Sequence, residues 1–135
     1  MKKSAADKRK PQTRQEMDDI FAELRTEYLE TFTEKQNLIK TSWEKRDRMT
    51  IENEFHKMKG TGKTYGLPEI TDLGRMLELV SKDNHPKLGT CVFAALELLP
   101  QIVAARQQNK TYPLDTDPFY KKIKEIYCEL ATLAS

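Results

Sequence analysis

Apolar residues in this chain recur at intervals of three and four, segment after segment, and never alternate over a strand's length. A chain so patterned buries its apolar surface as helices pressed together along shared seams. Met17, Phe21, Leu24 and Tyr28 mark a first helix from Gln15. Thr33 and Gln36 read as a capping box opening a second through Leu38, Ile39 and Trp43. Asp47 suits the N-cap of a third, running through His56 toward Lys63 and ended by Tyr65-Gly66-Leu67-Pro68. Pro68 fits the first position of a fourth, with Ile70, Leu73, Leu77 and Val80 as its stripe. Beyond a break from Lys82 to Pro86, Leu88, Cys91, Val92, Ala95, Leu96, Leu99 and Val103 describe a strongly apolar fifth, with a kink expected at Pro100. Asp117-Pro118 starts a last helix whose face is Phe119, Ile123, Ile126, Leu130 and Leu133.

With 135 residues there is room for one core and none for a nucleotide-binding domain beside a substrate domain. Short loops between such helices imply an all-α, up-and-down four-helix bundle over residues 15–135, its core at roughly 16–108, with an additional terminal helix at about 117–133. The net charge of +2 conceals a basic segment at residues 1–14, read as a disordered tail. Nucleic acid would require basic charge spread over a folded face, so it is not an expected partner. No apolar run follows the tail, so neither secretory signal nor membrane anchor is expected, and the chain reads as a cytoplasmic monomer. Cys91 and Cys128, both within apolar helical patterns, read as reduced core thiols.

The stretch His56-Lys57-Met58-Lys59-Gly60-Thr61-Gly62-Lys63-Thr64-Tyr65-Gly66 admits two phosphate chemistries. Its second half looks like the end of a P-loop, but the glycine required five positions earlier is Lys57, and Thr50–Phe55 has helical period, so no strand delivers the loop. On a helix of about 100° per residue, Phe55, Met58 and Gly62 lie within about 40° of Ile51, while His56 lies about 140° away, facing solvent. Lys59 at about 80°, Lys63 at about 120°, Met49 at about 160° and Gly60 at about 180° surround it. An exposed histidine beside lysines is by default a solvated face. Gly60 sets this one apart, because a mid-helix glycine costs up to about 1 kcal/mol and leaves room one turn beyond the ring.

The run His56-Lys57-Met58-Lys59-Gly60-Thr61 with Gly66 downstream resembles the motif of the histidine-containing phosphotransfer (HPt) domains. Tyr65–Ile70, Leu77-Glu78 and Tyr28-Leu29-Glu30 extend the likeness over about residues 16–105. The resemblance implies a bundle of the HPt type whose phosphoacceptor is His56, taking a phosphoryl group from a receiver-domain aspartate and passing it to another receiver. It implies no autonomous kinase activity and no intrinsic cofactor, with Mg²⁺ on the receiver of a response regulator, and it makes a hybrid histidine kinase a further candidate partner. Lys59 would neutralise phosphoryl oxygens, and Met49 and Gly60 would meet the partner. Where many members place a glutamine against the second ring nitrogen, this chain has Glu78. A carboxylate there would fix the tautomer yet repel an incoming phosphoryl group. Lys63 and Lys82 are supporting cations.

His85, in Asp83-Asn84-His85-Pro86, reads as a loop residue. With two histidines and no acidic cluster of ligand spacing, no metal site is expected, and no serine or cysteine stands beside a histidine as a nucleophilic triad requires. The alternative function is a helical module of the same shape that binds receivers or another protein without being phosphorylated.

Overall fold

The computed structural model of the protein describes residues 13–134, and no strand occurs among them. The helices are α1 (Arg14–Glu30), α2 (Phe32–Glu44), α3 (Arg48–Thr64), α4 (Pro68–Lys82), α5 (Leu88–Gln107) and α6 (Pro118–Ala134), with a short 3₁₀ turn at Leu114–Thr116. α2 packs on α3, α3 on α4, α4 on α5 and α5 back on α2, which closes an up-and-down ring of four. α6 covers α4 and α5 from outside. Most of the tail expected at 1–14 lies outside the described residues, but Arg14, counted with it for its charge, is the first residue of α1.

Helix ends explain where the pattern was misread. The capping box is Thr13 with Glu16: the hydroxyl accepts from the Glu16 N–H at 3.0 Å and the carboxylate from the Thr13 N–H at 2.9 Å. Thr33 and Gln36, expected to cap α2, are inside it. Thr31 keeps near-helical angles (φ −81°, ψ −7°), so the chain bends there without stopping, and Lys35 N–H still bonds to the Thr31 carbonyl. No side chain caps α2 at Thr31.

The core follows the predicted stripes of α3, α4 and α5: Ile51, Phe55, Met58, Ile70, Leu73, Leu77, Val80, Cys91, Ala95 and Leu99 are all buried. α5 runs unbroken through Pro100. By length and mean hydropathy (1.7) it would be able to cross a membrane, but nine of its residues, Leu88 to Val103, are buried in this bundle. α1 differs from expectation. Met17, Phe21 and Leu24 are 42–52% exposed, as is Ile20, while only Tyr28 and Leu29 are buried. Periodicity names the face a helix would bury, yet only the last turns of α1 meet a surface, where Tyr28 stacks on Tyr65 at 4.7 Å and Arg25 Nε donates to the Tyr65 carbonyl at 2.8 Å. Leu38 is exposed too, and Cys128, expected in the core, faces outward from α6. Leu133, placed on the same α6 face as Ile123 and Ile126, lies outside the residues whose side chains are described.

Polar contacts that no spacing rule flags pin the C-terminal segment. Glu69, 3% exposed on α4, takes hydrogen bonds from Arg106 Nε and Nη2 (2.7–3.2 Å) and from the Tyr112 N–H (3.0 Å). Tyr120 donates to Asp72 at 2.6 Å, and Asp117 caps α6 by accepting from Phe119 and Tyr120 N–H. His85 sits in its loop as expected, with a side chain only 9% exposed and Nε2 3.3 Å from Glu129 of α6.

α3 and α4 are the closest pair because two glycines remove the side chains between them. A Cβ on Gly74 would stand 2.6 Å from Lys59 N and 2.8 Å from Phe55 O; one on Gly62 would stand 2.6 Å from Thr71 N. At Gly60 a Cβ would meet nothing within 4 Å. Ala and Gly differ by about 1 kcal/mol in helix propensity at either position, so only the contacts decide the sign. Gly60→Ala should stabilise the fold by up to about 1 kcal/mol, whereas Gly74→Ala should destabilise it by about 1–3 kcal/mol, as overpacked cores do. Urea unfolding of both variants checks this; the same sign for both would contradict the close approach.

Burial opposes ionisation of Glu69, but the Arg106 and Tyr112 hydrogen bonds and the guanidinium charge outweigh it, so its carboxyl titrates below the ordinary value. The stability it supplies is therefore complete above the ordinary carboxylate range and is lost as pH falls through the lowered folded value. Glu69→Gln should remove that acid-side loss and, by leaving Arg106 half-buried and unpaired, cost about 3 kcal/mol near neutral pH. Unfolding free energies that fall equally with acid in both proteins would contradict the assignment.

Candidate functional site

α3 is fixed at both ends. Asp47 accepts from the Thr50 N–H at 3.2 Å and the Thr50 hydroxyl at 2.6 Å. At the other end Gly66 turns left-handed (φ 68°), the Leu67 N–H reaches the Gly62 carbonyl at 2.8 Å and the Gly66 N–H the Lys63 carbonyl at 3.3 Å. This is a Schellman stop, and it returns the chain directly into α4 at Pro68. The two helices thus run antiparallel with a set register: Lys59 and Phe55 lie against Gly74, Gly62 against Thr71, and His56 against Glu78.

His56 stands mid-helix with its side chain 60% exposed, while Phe55 and Met58 are buried on the opposite face. Glu78 reaches across from α4 and divides its two oxygens. Oε2 is 2.7 Å from His56 Nδ1, and Oε1 is 2.7 Å from Lys59 Nζ. Partial burial alone would raise the Glu78 pKa, but hydrogen bonds from Lys59 and His56 and the Lys59 ammonium charge outweigh it and hold the carboxyl below its usual value. An ionised carboxylate only accepts, so Nδ1 is the donor in this bond, and in the neutral ring the free lone pair is therefore on Nε2.

The sequence-derived candidates divide by place. His56, Lys59 and Glu78 form one bonded group. Met49, 64% exposed, lines with Thr50, Glu52, Asn53, His56 and Glu78 an open cleft of about 520 Å³. Thr50, Glu52 and Asn53 were not singled out from sequence, although Glu52 and Asn53 precede His56 by one turn and share its side of the wheel. Gly60, one turn beyond, is exposed and bare. Lys63 is two turns from His56 and borders a different cleft, of about 1090 Å³, between the end of α3 and residues 111–116. Lys82 is exposed at the end of α4. Among the described residues no ion pair involves either of these lysines.

Chemically the group offers an accessible ring nitrogen on an imidazole held by its other nitrogen, a cation one turn away and an open approach past Gly60. It offers no second nucleophile and no anion cradle of glycine amides.

Among known protein families, residues 13–109 match the Hpt domain. The match ends ahead of the 3₁₀ turn and α6. No curated protein and no solved structure matches the chain. The family match spans well over half of the sequence and includes every member of the bonded group, so the chain belongs to the Hpt domain family, whose role is phosphotransfer in two-component signalling.

Proposed function

We propose that the protein is a phosphorelay carrier in which His56 takes a phosphoryl group from a receiver-domain aspartate and hands it to a second receiver. Hpt domains interact with receiver domains and histidine kinases. The observation that carries the reading is the half-engaged ring: Nδ1 is held by Glu78 while the rest of the side chain is 60% exposed. Nε2 attacks phosphorus as the bond to the aspartate oxygen breaks, and the loss of that acyl phosphate drives the transfer. The acidic pocket and the Mg²⁺ belong to the receiver. This chain supplies position and charge: a nucleophile on a rigid helix, and Lys59 to offset charge on the equatorial phosphoryl oxygens. Met49 and bare Gly60 form the surface on which the receiver sits, and the place of action is the cytoplasm.

Phosphorylated receiver with Mg²⁺ should label the protein with a phosphate that, once the chain is denatured, is acid-labile and comparatively base-stable, and His56→Gln should abolish the label. Lys59→Ala should slow transfer about tenfold to a hundredfold, the value of one charge-assisted contact, without abolishing it. Gly60→Leu should leave the fold intact and, like Gly60→Ala, no less stable, since its side chain projects into open space, yet block transfer. Full labelling of His56→Gln, or a label on His85, would overturn the reading.

A further inference from the structure

Glu78 does more in this geometry than orient a ring. A neutral amide at its position would accept the Nδ1 proton as a dipole; the carboxylate accepts it as an anion, at 2.7 Å and only 19% exposed. Its second oxygen is occupied by Lys59, at 2.7 Å, which keeps the group ionised and fixed in place. Among the described residues no other carboxylate pairs with the ring: Glu52 lies in the same cleft but pairs with Arg48, and Glu54 is turned inward with Lys57. The remaining charges on the two facing helices are Lys63 and Lys82, without ion pairs among the described residues, Arg75, tied to Asp72, and Glu69, paired with Arg106 at the far end of α4.

When Nε2 forms its bond to phosphorus, the ring becomes an imidazolium bearing the phosphoryl group on Nε2 and the original proton on Nδ1. Left to solvent, that ring sheds the proton and becomes a neutral phosphoimidazole, whose leaving group would be an imidazolate. With the proton retained, the leaving group is neutral imidazole. Resting on the phosphocarrier reading above, we propose that Glu78 keeps the Nδ1 proton on phosphorylated His56, so that this chain carries its phosphoryl group in the readily discharged imidazolium form, as a quick relay instead of a store. In discharge an oxygen of the acceptor, a receiver carboxylate or water, bonds to phosphorus while the Nε2–P bond breaks. The electron pair returns to Nε2, and the proton has never left Nδ1. Water as acceptor gives up one proton to solvent. Imidazolium and Lys59 offset most, though not all, of the charge on Glu78 and the phosphoryl oxygens, leaving a net of one negative charge. Glu78 is thus a positioning residue, acting on phosphorus only through the ring.

The test uses the full chain labelled by phosphoramidate, a small-molecule phosphoryl donor, with the lifetime of the label followed across the neutral and mildly alkaline range. Wild-type phosphohistidine should stay short-lived into alkaline buffer. Glu78→Gln should lengthen its half-life there about tenfold, the difference between a charge-assisted and a neutral hydrogen bond, and should shift the rise in lifetime to lower pH. Lys59→Met, which removes a cation but leaves the carboxylate, should not move that rise to lower pH, since losing a nearby positive charge favours the imidazolium. A Glu78→Gln profile superimposed on wild type, or a Lys59→Met profile that reproduces the Glu78→Gln shift, would overturn the proposal while leaving the carrier reading standing. A wild-type chain that never carries the label on His56 would overturn both.

Discussion

The contact of α3 with α4 backbone at Gly74 decides what the rest of the molecule can do. With an atom at the Cβ position only 2.6 Å from Lys59 N, no other residue fits there without parting the helices. That separation sets the reach of Glu78, one turn further along α4 from Gly74. A carboxylate on a two-methylene stem bonds two residues of the facing helix at 2.7 Å only if the axes are near and the register is right. The register is set in turn by the Schellman stop at Gly66 and by Gly62 against Thr71.

Mounting the site on two locked helices has a functional consequence. In the phosphocarrier reading proposed above, the ring nitrogen that reacts is aimed before a partner arrives, so little conformational entropy remains to be lost in docking. The other devices protect this pair. α2 and α5 complete the core beneath it, and Arg106–Glu69 and Tyr120–Asp72 bind the C-terminal segment and α6 to α4, the helix that carries Glu78. α6 lies beyond the family match, and its attachment to α4 and α5 leaves the His56 side of α3 open.

Much of this was readable in the residues, for reasons that also mark where reading stops. The stripes of α3, α4 and α5 are buried as their spacing demanded, and the wheel that put Phe55 and Met58 inside put His56 outside. Helix period is a local property, and these faces are opposed by other helices. The stripe of α1 has the same spacing but no helix opposite among the described residues, and there Met17, Phe21 and Leu24 are exposed; nothing local encodes whether a face has a neighbour. The Thr33–Gln36 box failed because a capping pattern says where a helix could start, while Thr31 bends the chain without ending it. Glu69, Arg106 and Tyr112 are far apart in sequence and join only through the tertiary path of the chain. Glu78 was legible through family likeness, but its sharing between His56 and Lys59 was not, since that depends on the interhelix distance.

The central claim is that His56 reacts through Nε2 while Nδ1 keeps its proton against Glu78. Nitrogen-15 NMR of the phosphorylated, uniformly labelled protein reads both ring nitrogens at once, through their coupling to phosphorus and to the Nδ1 hydrogen. The account predicts phosphorus coupled to His56 Nε2 and a protonated Nδ1 shifted by a charged acceptor. Phosphorus on Nδ1, or a phosphorylated His56 ring whose Nδ1 carries no hydrogen, would contradict it.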